Sequence, residues 1–428
     1  MARKPHHAPL NFPDVSSGLA DVQEHGWAAS PSWPVERWVL RQFLAFCGHP
    51  PIGIRLWDGQ RITACDAPLV ATIHITRRSS LYRLVLQQDV AFGDEFSFGR
   101  IDVEGDLAQG LTAFFAAKNR STGDSLLESL TRFVARRPQL NTLSGSRNNT
   151  HHHYDIGNEF YRLWLDEEMQ YTCAYFPQTD LSIEQAQQEK MHHICRKLQL
   201  KAGDRVVEAG CGWGTFARHM AVHYGADVTA FNISHEQVRF AADRAKREGF
   251  DDHVTYVEDD YRNIKGEFDV FVSVGMLEHV GKCNYATLGS VIDRCLNEAG
   301  RGLIHTIGRN QRRLMNAWIE KRIFPGAYPP SLWEMRDTFE PFDFSVLDVE
   351  NLRLHYARTL EHWWGAFERA RDRVTAMFDE RFVRLWRLYL AGSTTAFKVG
   401  QLQLFQVVFA PGRSNDLPWT RARLYQPG

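Results

Sequence analysis

The 428-residue sequence has almost no net charge, with 50 Lys and Arg against 51 Asp and Glu giving −1. That balance excludes a chain-wide pull toward nucleic acid or an anionic surface, so any such attraction must come from local patches. No Cys-x-x-Cys pair occurs. The seven cysteines, Cys47, Cys65, Cys173, Cys195, Cys211, Cys283 and Cys295, are scattered and odd in number. They read as reduced thiols of a cytoplasmic protein, not as a disulfide framework. No apolar run is long enough to cross a bilayer. The opening residues, Met1 to His7, lack the apolar core of a signal peptide. Work on lipid would therefore proceed from the membrane surface. There is no internal repeat, and no zinc spacing, helix-turn-helix or basic-aromatic module that would suit nucleic acid.

What is present is a globular composition, 44% hydrophobic and 24% charged, in a chain longer than one core usually holds. Two domains are expected. Residues 1–30 read as a polar arm, 31–125 as a small α+β domain, 126–150 as a linker and 151–428 as a catalytic domain. In the small domain, Val35, Trp38, Val39, Phe43 and Leu44 have helical spacing. Ile52, Ile54 and Leu56 alternate up to an Asp58-Gly59 turn. Residues 72–76 and 84–86 read as further strands, and 105–118 as a helix. Beyond the linker, strands over 205–209, 227–231, 254–258, 268–274 and 302–307 alternate with helices. This predicts an α/β fold, a doubly wound, Rossmann-like parallel sheet. Two strand-like stretches, 345–352 and 402–409, flank a long helical block and predict an antiparallel hairpin at one sheet edge.

The strongest motif is Val206-Val207-Glu208-Ala209-Gly210-Cys211-Gly212-Trp213-Gly214. β-Branched residues lead into a glycine turn that opens a helix, and Gly210 and Gly212 let backbone approach a ligand. A Gly-x-Gly pair alone also serves dinucleotide enzymes, or no ligand at all. Here the spacing is Gly-x-Gly-x-Gly, and Glu208 precedes it. A carboxylate there suits the cationic methionine moiety of S-adenosylmethionine and would repel a pyrophosphate. The next strand ends at Asn232, where many methyltransferases place an acid, so the amides of Asn232 and Gln237 would have to hold the ribose hydroxyls. The third ends in Asp260-Tyr261, a carboxylate and a ring suited to adenine.

At this point five segments resemble the cyclopropane-fatty-acyl-phospholipid synthases, in that family's order and approximate spacing. They are His153–Asn158, Gln170–Tyr175, Glu208–Gly214, Gly275–Gly281 and His305–Gly308. The likeness runs from about 150 to 410; residues 1–125 resemble the family's small lipid-associated domain less distinctively. It implies a methylene transferred from S-adenosylmethionine to the cis double bond of a phospholipid acyl chain, closing a cyclopropane. It also implies a bound bicarbonate as general base, held by Cys173, Glu278, His305, the Ile307 backbone and Tyr356. Tyr171, Thr172, Gly210, Gly212, Ile233, Gln237, Asp260 and Tyr261 would line the S-adenosylmethionine site. Thr172 stands where serine is common and keeps the hydroxyl. A homodimer through the small domain is a further expectation.

The chemistry explains why such residues are wanted. An alkene attacking a sulfonium methyl leaves a carbocation on the acyl chain, and loss of a proton from the new methyl closes the ring. The site must exclude water, offer π-faces or fixed negative charge, and place a base near that methyl. Taken singly, Cys173 suits an inert buried thiol and His305 a core histidine equally well. Leu360, Trp363, Trp364, Phe367, Phe382, Trp386, Tyr389 and Leu390 form a helical stripe that suits either an acyl chain or plain packing. The segment 317–333 adds Trp318, Phe324, Tyr328 and Trp333. Arg309, Arg312, Arg313, Lys321 and Arg322 would meet lipid phosphates, or form a solvated face. His151, His152 and His153 with Tyr154 read as a loop over the cofactor; no metal is expected, because adjacent histidines converge poorly on one ion. Two other functions stay open: the same methyl transfer ending in a methylene- or methyl-branched chain, and a non-catalytic lipid-binding protein on this scaffold.

Overall fold

A computed structural model describes residues 30–121 and 156–425. The expected linker, His151–Tyr154, and the expected arm apart from Ser30 lie outside the described residues. The chain divides into two compact units. One takes the residues before 132 together with Asn316–Pro325 and Trp363–Gly400; the other takes the rest.

The first unit holds a four-stranded sheet in the order β2-β1-β3-β4: β1 Ile52–Arg55, β2 Arg61–Ile62, β3 Ala71–Ile75 and β4 Ile101–Gly105. The Asp58-Gly59 turn closes β1 onto β2. Gly59 has φ 83°, and Ile54 stands opposite Ile62. Ile52, Ile54, Ile62 and Ile75 pack with Leu40 and Leu44 from the helix Pro34–Phe46. The strand expected at 84–86 is instead the end of a helix, Arg78–Leu86. So short an apolar run has no period of its own, and Leu81 with Leu84, three apart, gives the core one side of a helix.

Part of the stretch expected as catalytic, 151–428, falls in the first unit. Helix Glu380–Lys398 belongs to the first unit. There Arg384 donates to the carbonyls of Phe96 (2.7 Å) and Ile101 (2.8 Å), and the hydroxyls of Thr112 and Thr395 meet at 3.1 Å. Phe382 stacks on Phe378 at 4.2 Å and on Trp386 at 5.5 Å. Trp363, Phe367, Phe382, Trp386, Tyr389 and Leu390 are buried, so the packing alternative describes this stripe.

The second unit is a seven-stranded sheet in the order β10-β11-β9-β8-β5-β6-β7. Its strands are β5 Arg205–Ala209, β6 Asp227–Asn232, β7 Val254–Glu258, β8 Phe268–Val274, β9 Leu296–Gly308, β10 Phe344–Asn351 and β11 Gln403–Pro411. β5 to β9 run parallel, and β11 pairs antiparallel with both β9 and β10. Both faces of the parallel part are covered, which is why Val206, Val207, Val270, Phe271 and Val272 are all fully buried. Phe271 packs with Leu288, Ile292 and Phe339; Val270 packs with Ile194, Phe216 and Met220. The strand order reverses between β5 and β8. In a doubly wound sheet, ligands bind outside the carboxyl ends of the strands at that point.

Candidate active site

β5 runs into the glycine loop at this switch point. Gly210, Gly212 and Gly214 have φ of 86°, 53° and 80°, a region that costs other residues about 1–2 kcal/mol. The Gly210 amide donates to the Phe231 carbonyl at 2.9 Å, tying the loop to β6. A Cβ on Gly210 would lie 3.0 Å from Met276 Cβ, a tight approach within the protein itself. On Gly214 a Cβ would come within 2.6 Å of Ala241 and of the Tyr256 ring, whose hydroxyl donates to the Gly214 carbonyl at 2.8 Å. Gly212 differs: a Cβ there meets no protein atom within 4 Å. Its backbone borders open space, as a ligand-contacting glycine requires.

Glu208 precedes the loop and is buried, with one carboxylate oxygen lacking any partner. Burial pushes its pKa up to about 8, against the pull of Lys190. Lys190 is itself buried, on the helix Ile183–Leu198, and burial brings it down to about 8 against Asp166, Cys173 and Glu208. Its ammonium donates to the Thr172 hydroxyl at 2.9 Å, which also explains why a hydroxyl is kept at that position. Burial lifts Asp166 to about 6. Asp166 and Glu208 both act electrostatically on this ammonium. Gln187 of the same helix donates to the Thr172 carbonyl at 3.0 Å. Sequence reasoning missed Asp166, Gln187 and Lys190. The available signal was a polar stripe, Gln187, Lys190, His193 and Lys197, at helical spacing after the Ser182–Gln185 capping box.

The ends of β6 and β7 carry the other expected cofactor residues. Asn232 donates to the Gly212 carbonyl (3.1 Å) and to the Gln237 side-chain oxygen (2.9 Å). It braces the loop, and its N–H groups are turned to the protein. Ile233 is partly exposed between them. Asp260 caps a short turn and pairs through both oxygens with Arg262, at 2.7 and 2.8 Å. Tyr261 is buried, with its hydroxyl unpartnered. Tyr171 is held between Tyr161 and Trp164, at ring distances of 5.6 and 5.2 Å.

Of the base ligands implied by resemblance, Glu278, His305 and Ile307 lie at the ends of β8 and β9. Glu278 follows β8, and its Oε1 accepts the Ile307 N–H at 2.5 Å. Ile307 therefore positions Glu278 with the very N–H that an anion would need. Burial raises Glu278 to about 7. His305 lies on β9, buried and held well below the usual histidine range by burial and by Lys190 and Lys197. Glu278 Oε2 and His305 Nε2 are both buried without a hydrogen-bond partner. Cys173 is fully buried, and burial pushes its thiol far up, so it stays protonated. Tyr356 sits on the helix Arg353–Arg369. That helix is tied to the Cys173 segment: Thr359 accepts the Ala174 N–H (3.0 Å), and His355 accepts the Phe176 N–H (3.0 Å).

Three of the five cations have partners within their own unit. Arg309 is buried and donates to the carbonyls of Arg313 (2.9 Å) and Leu314 (2.7 Å). Arg312 pairs with Glu334 at 3.4 Å. In the other unit, Arg322 pairs twice with Asp94, at 3.0 and 2.7 Å. Arg313 and Lys321 are left exposed.

Comparison with known proteins places the chain among its relatives. A probable fatty acid methyltransferase of Pseudomonas putida is 36% identical over 393 residues, covering 88% of this chain and 97% of the relative. The cyclopropane-fatty-acyl-phospholipid synthase of Escherichia coli K12 is 43% identical over 266 residues, 62% of this chain and 68% of the relative. Among solved structures, mycolic acid cyclopropane synthase CmaA1 complexed with SAH and CTAB matches with a TM-score of 0.59 at 27% identity, over 61% of this chain and 97% of that one. The profile of the mycolic acid cyclopropane synthetase family matches residues 142–407, and this chain belongs to that family.

Proposed function

We propose that this chain uses S-adenosylmethionine to add a methylene across the cis double bond of a phospholipid acyl chain, forming a cyclopropane. The observation that carries the reading is the pair of orphaned buried atoms, Glu278 Oε2 and His305 Nε2, linked through β9, where the Ile307 N–H donates to Glu278. Buried polar groups are almost always satisfied, so an acceptor and a ring nitrogen left bare together call for a small polar guest. Bicarbonate fits this donor set, held by Cys173, Glu278, His305 and Tyr356, and when bound supplies the base for the departing proton. S-adenosylmethionine fits the other half and supplies an electrophilic methyl. Glu208 answers its positive charge, Gly212 gives it room, and Tyr171, Thr172, Ile233, Gln237, Asp260 and Tyr261 line it. The chain's own part is to fix the two partners, exclude water and keep its nucleophiles neutral. A thiol held protonated by burial cannot trap a carbocation as a thiolate would.

The lipid is reached from a membrane surface; among the described residues no helix is long and apolar enough to cross a membrane. A cytoplasmic homodimer through the first 125 residues belongs to the same reading, with light scattering as its check. The Pseudomonas putida relative favours a second reading, in which the same cation resolves to a methylene- or methyl-branched chain. The test mixes full-length protein, S-adenosylmethionine, bicarbonate and vesicles of cis-unsaturated phospholipid. Fatty acids heavier by one methylene unit, with cyclopropane ring protons by NMR, are expected. Retained vinyl signals on a heavier acid select the branched reading, and no added carbon overturns both.

A further inference from the structure

Behind His305 lies a row of polar side chains that the reaction itself does not use. Strand register sets it: Gln406 of β11 stands directly opposite His305 of β9, and Glu350 of β10 stands opposite Gln406. Cross-strand partners share a face, so the three side chains line up across the antiparallel edge. Helix Ile183–Leu198 covers that face. Its Lys197 ammonium donates to Gln406 Oε1 at 2.7 Å and to Glu350 Oε2 at 2.6 Å, and His193 Nε2 meets the same Glu350 oxygen at 2.7 Å. The remaining link joins Gln406 Nε2 to His305 Nδ1 at 3.1 Å.

We propose that Lys197 and Gln406 are positioning residues that fix the tautomer of His305, so that its single hydrogen sits on Nε2. An ammonium has hydrogens to give and no lone pair to accept. The Gln406 oxygen must therefore point to Lys197, which turns the amide NH2 toward the imidazole. An amide NH2 only donates, so Nδ1 must accept, and the neutral ring carries its hydrogen on the opposite nitrogen. That nitrogen is the orphaned one. An imidazolium would set N–H against N–H at Gln406. The charged groups facing the ring are Lys190 and Lys197 from the helix and Glu350 from β10, and burial with the two lysines disfavours a charged ring. Glu350 keeps Lys197 in place; although burial opposes it, His193 and Lys197 hold its carboxyl down to about 2. The relay thus delivers a neutral N–H donor into the pocket. Its use there rests on the bicarbonate reading above: a donor grips an anion, whereas a bare lone pair would repel it.

The tautomer is read directly in the full-length protein labelled with nitrogen-15 histidine, using long-range proton–nitrogen correlations assigned by loss of signal in His305→Gln. The lone pair is expected on Nδ1 and the hydrogen on Nε2. In Gln406→Glu the carboxylate still accepts from Lys197 but now also accepts from Nδ1, so the hydrogen moves to Nδ1. Turnover should then fall by about a hundredfold or more, with S-adenosylhomocysteine affinity unchanged. Gln406→Met, which fills similar volume without a preference, should show both tautomers and an intermediate loss. A hydrogen on Nδ1 in the wild type overturns the proposal, as does a Gln406→Glu protein with wild-type turnover. If Gln406→Glu fails to fold, the wild-type and Gln406→Met spectra decide. A wild type with hydrogen on Nε2 whose turnover ignores bicarbonate supports the relay and sinks the bicarbonate reading alone.

Discussion

Glu278→Gln should make the protein inactive and, above neutral pH, more stable. Burial raises the Glu278 carboxyl from 4.5 to about 7, so the folded protein holds this proton more tightly than the unfolded chain does. Between those values the folded state binds more protons, and stability falls as pH rises. At about 1.4 kcal/mol per unit, the full penalty reached above pH 7 is about 3 kcal/mol. Glutamine keeps the oxygen that accepts the Ile307 N–H but puts an NH2 where Oε2 has no partner. That costs about 1 kcal/mol at every pH. The variant and wild type should therefore be equal within about 0.5 kcal/mol near about pH 5, and the variant more stable by about 2 kcal/mol at about pH 8. Urea unfolding in carbonate-free buffer measures this, since a bound anion would itself stabilise the wild type. A stability difference that does not change with pH would refute the argument that Glu278 is held neutral by its surroundings.

Gly214→Ala should cost about 3 kcal/mol, from left-handed strain plus contact with Ala241 and Tyr256, and lower the melting temperature accordingly. Gly212→Ala should lose only about 1 kcal/mol of stability yet weaken S-adenosylhomocysteine binding about tenfold or more by calorimetry, because its Cβ enters open space that the ligand would fill. Iodoacetamide on the native protein should modify exposed Cys283, then Cys65; modification of Cys173 at comparable speed would contradict its burial. Arg309→Met should destabilise by about 2 kcal/mol, by stripping the carbonyls of Arg313 and Leu314 of their donor, and denaturant midpoints report it.

The parallel sheet was legible because β5 to β8 are short β-branched runs between turn signals, and the edge hairpin because two strand patterns follow the last crossover. The first unit was less so. An amphipathic stripe such as Phe382 to Leu390 says that a face is buried but not against what, and its hydrogen-bonding partners at Phe96 and Ile101 lie nearly 300 positions earlier in the sequence. In the site, the glycine loop and Glu208 were readable from local pattern, and Glu278 and His305 only from resemblance. Lys190 and Lys197 showed only as part of a polar stripe, and Gln406 gave no signal. Buried polar residues on a helix or strand look like solvent-facing ones until strand register brings their partners alongside. That the Ile307 N–H donates to Glu278 depends on how the turn after β8 folds back.

Helix Ile183–Leu198 serves both halves of the proposed site. Lys190 serves the Glu208 side and Lys197 the His305 side, seven residues apart and so separated by about 10 Å along one axis. A rigid strut of that kind makes the two subsites mechanically inseparable. Repacking Met191, Ile194 or Leu198 beneath it, to widen the cofactor side for a bulkier methyl donor, would tilt the lever that sets the histidine on the far side. Engineering for altered donors is therefore better aimed at Ile233 and Gln237, whose element carries no part of that lever.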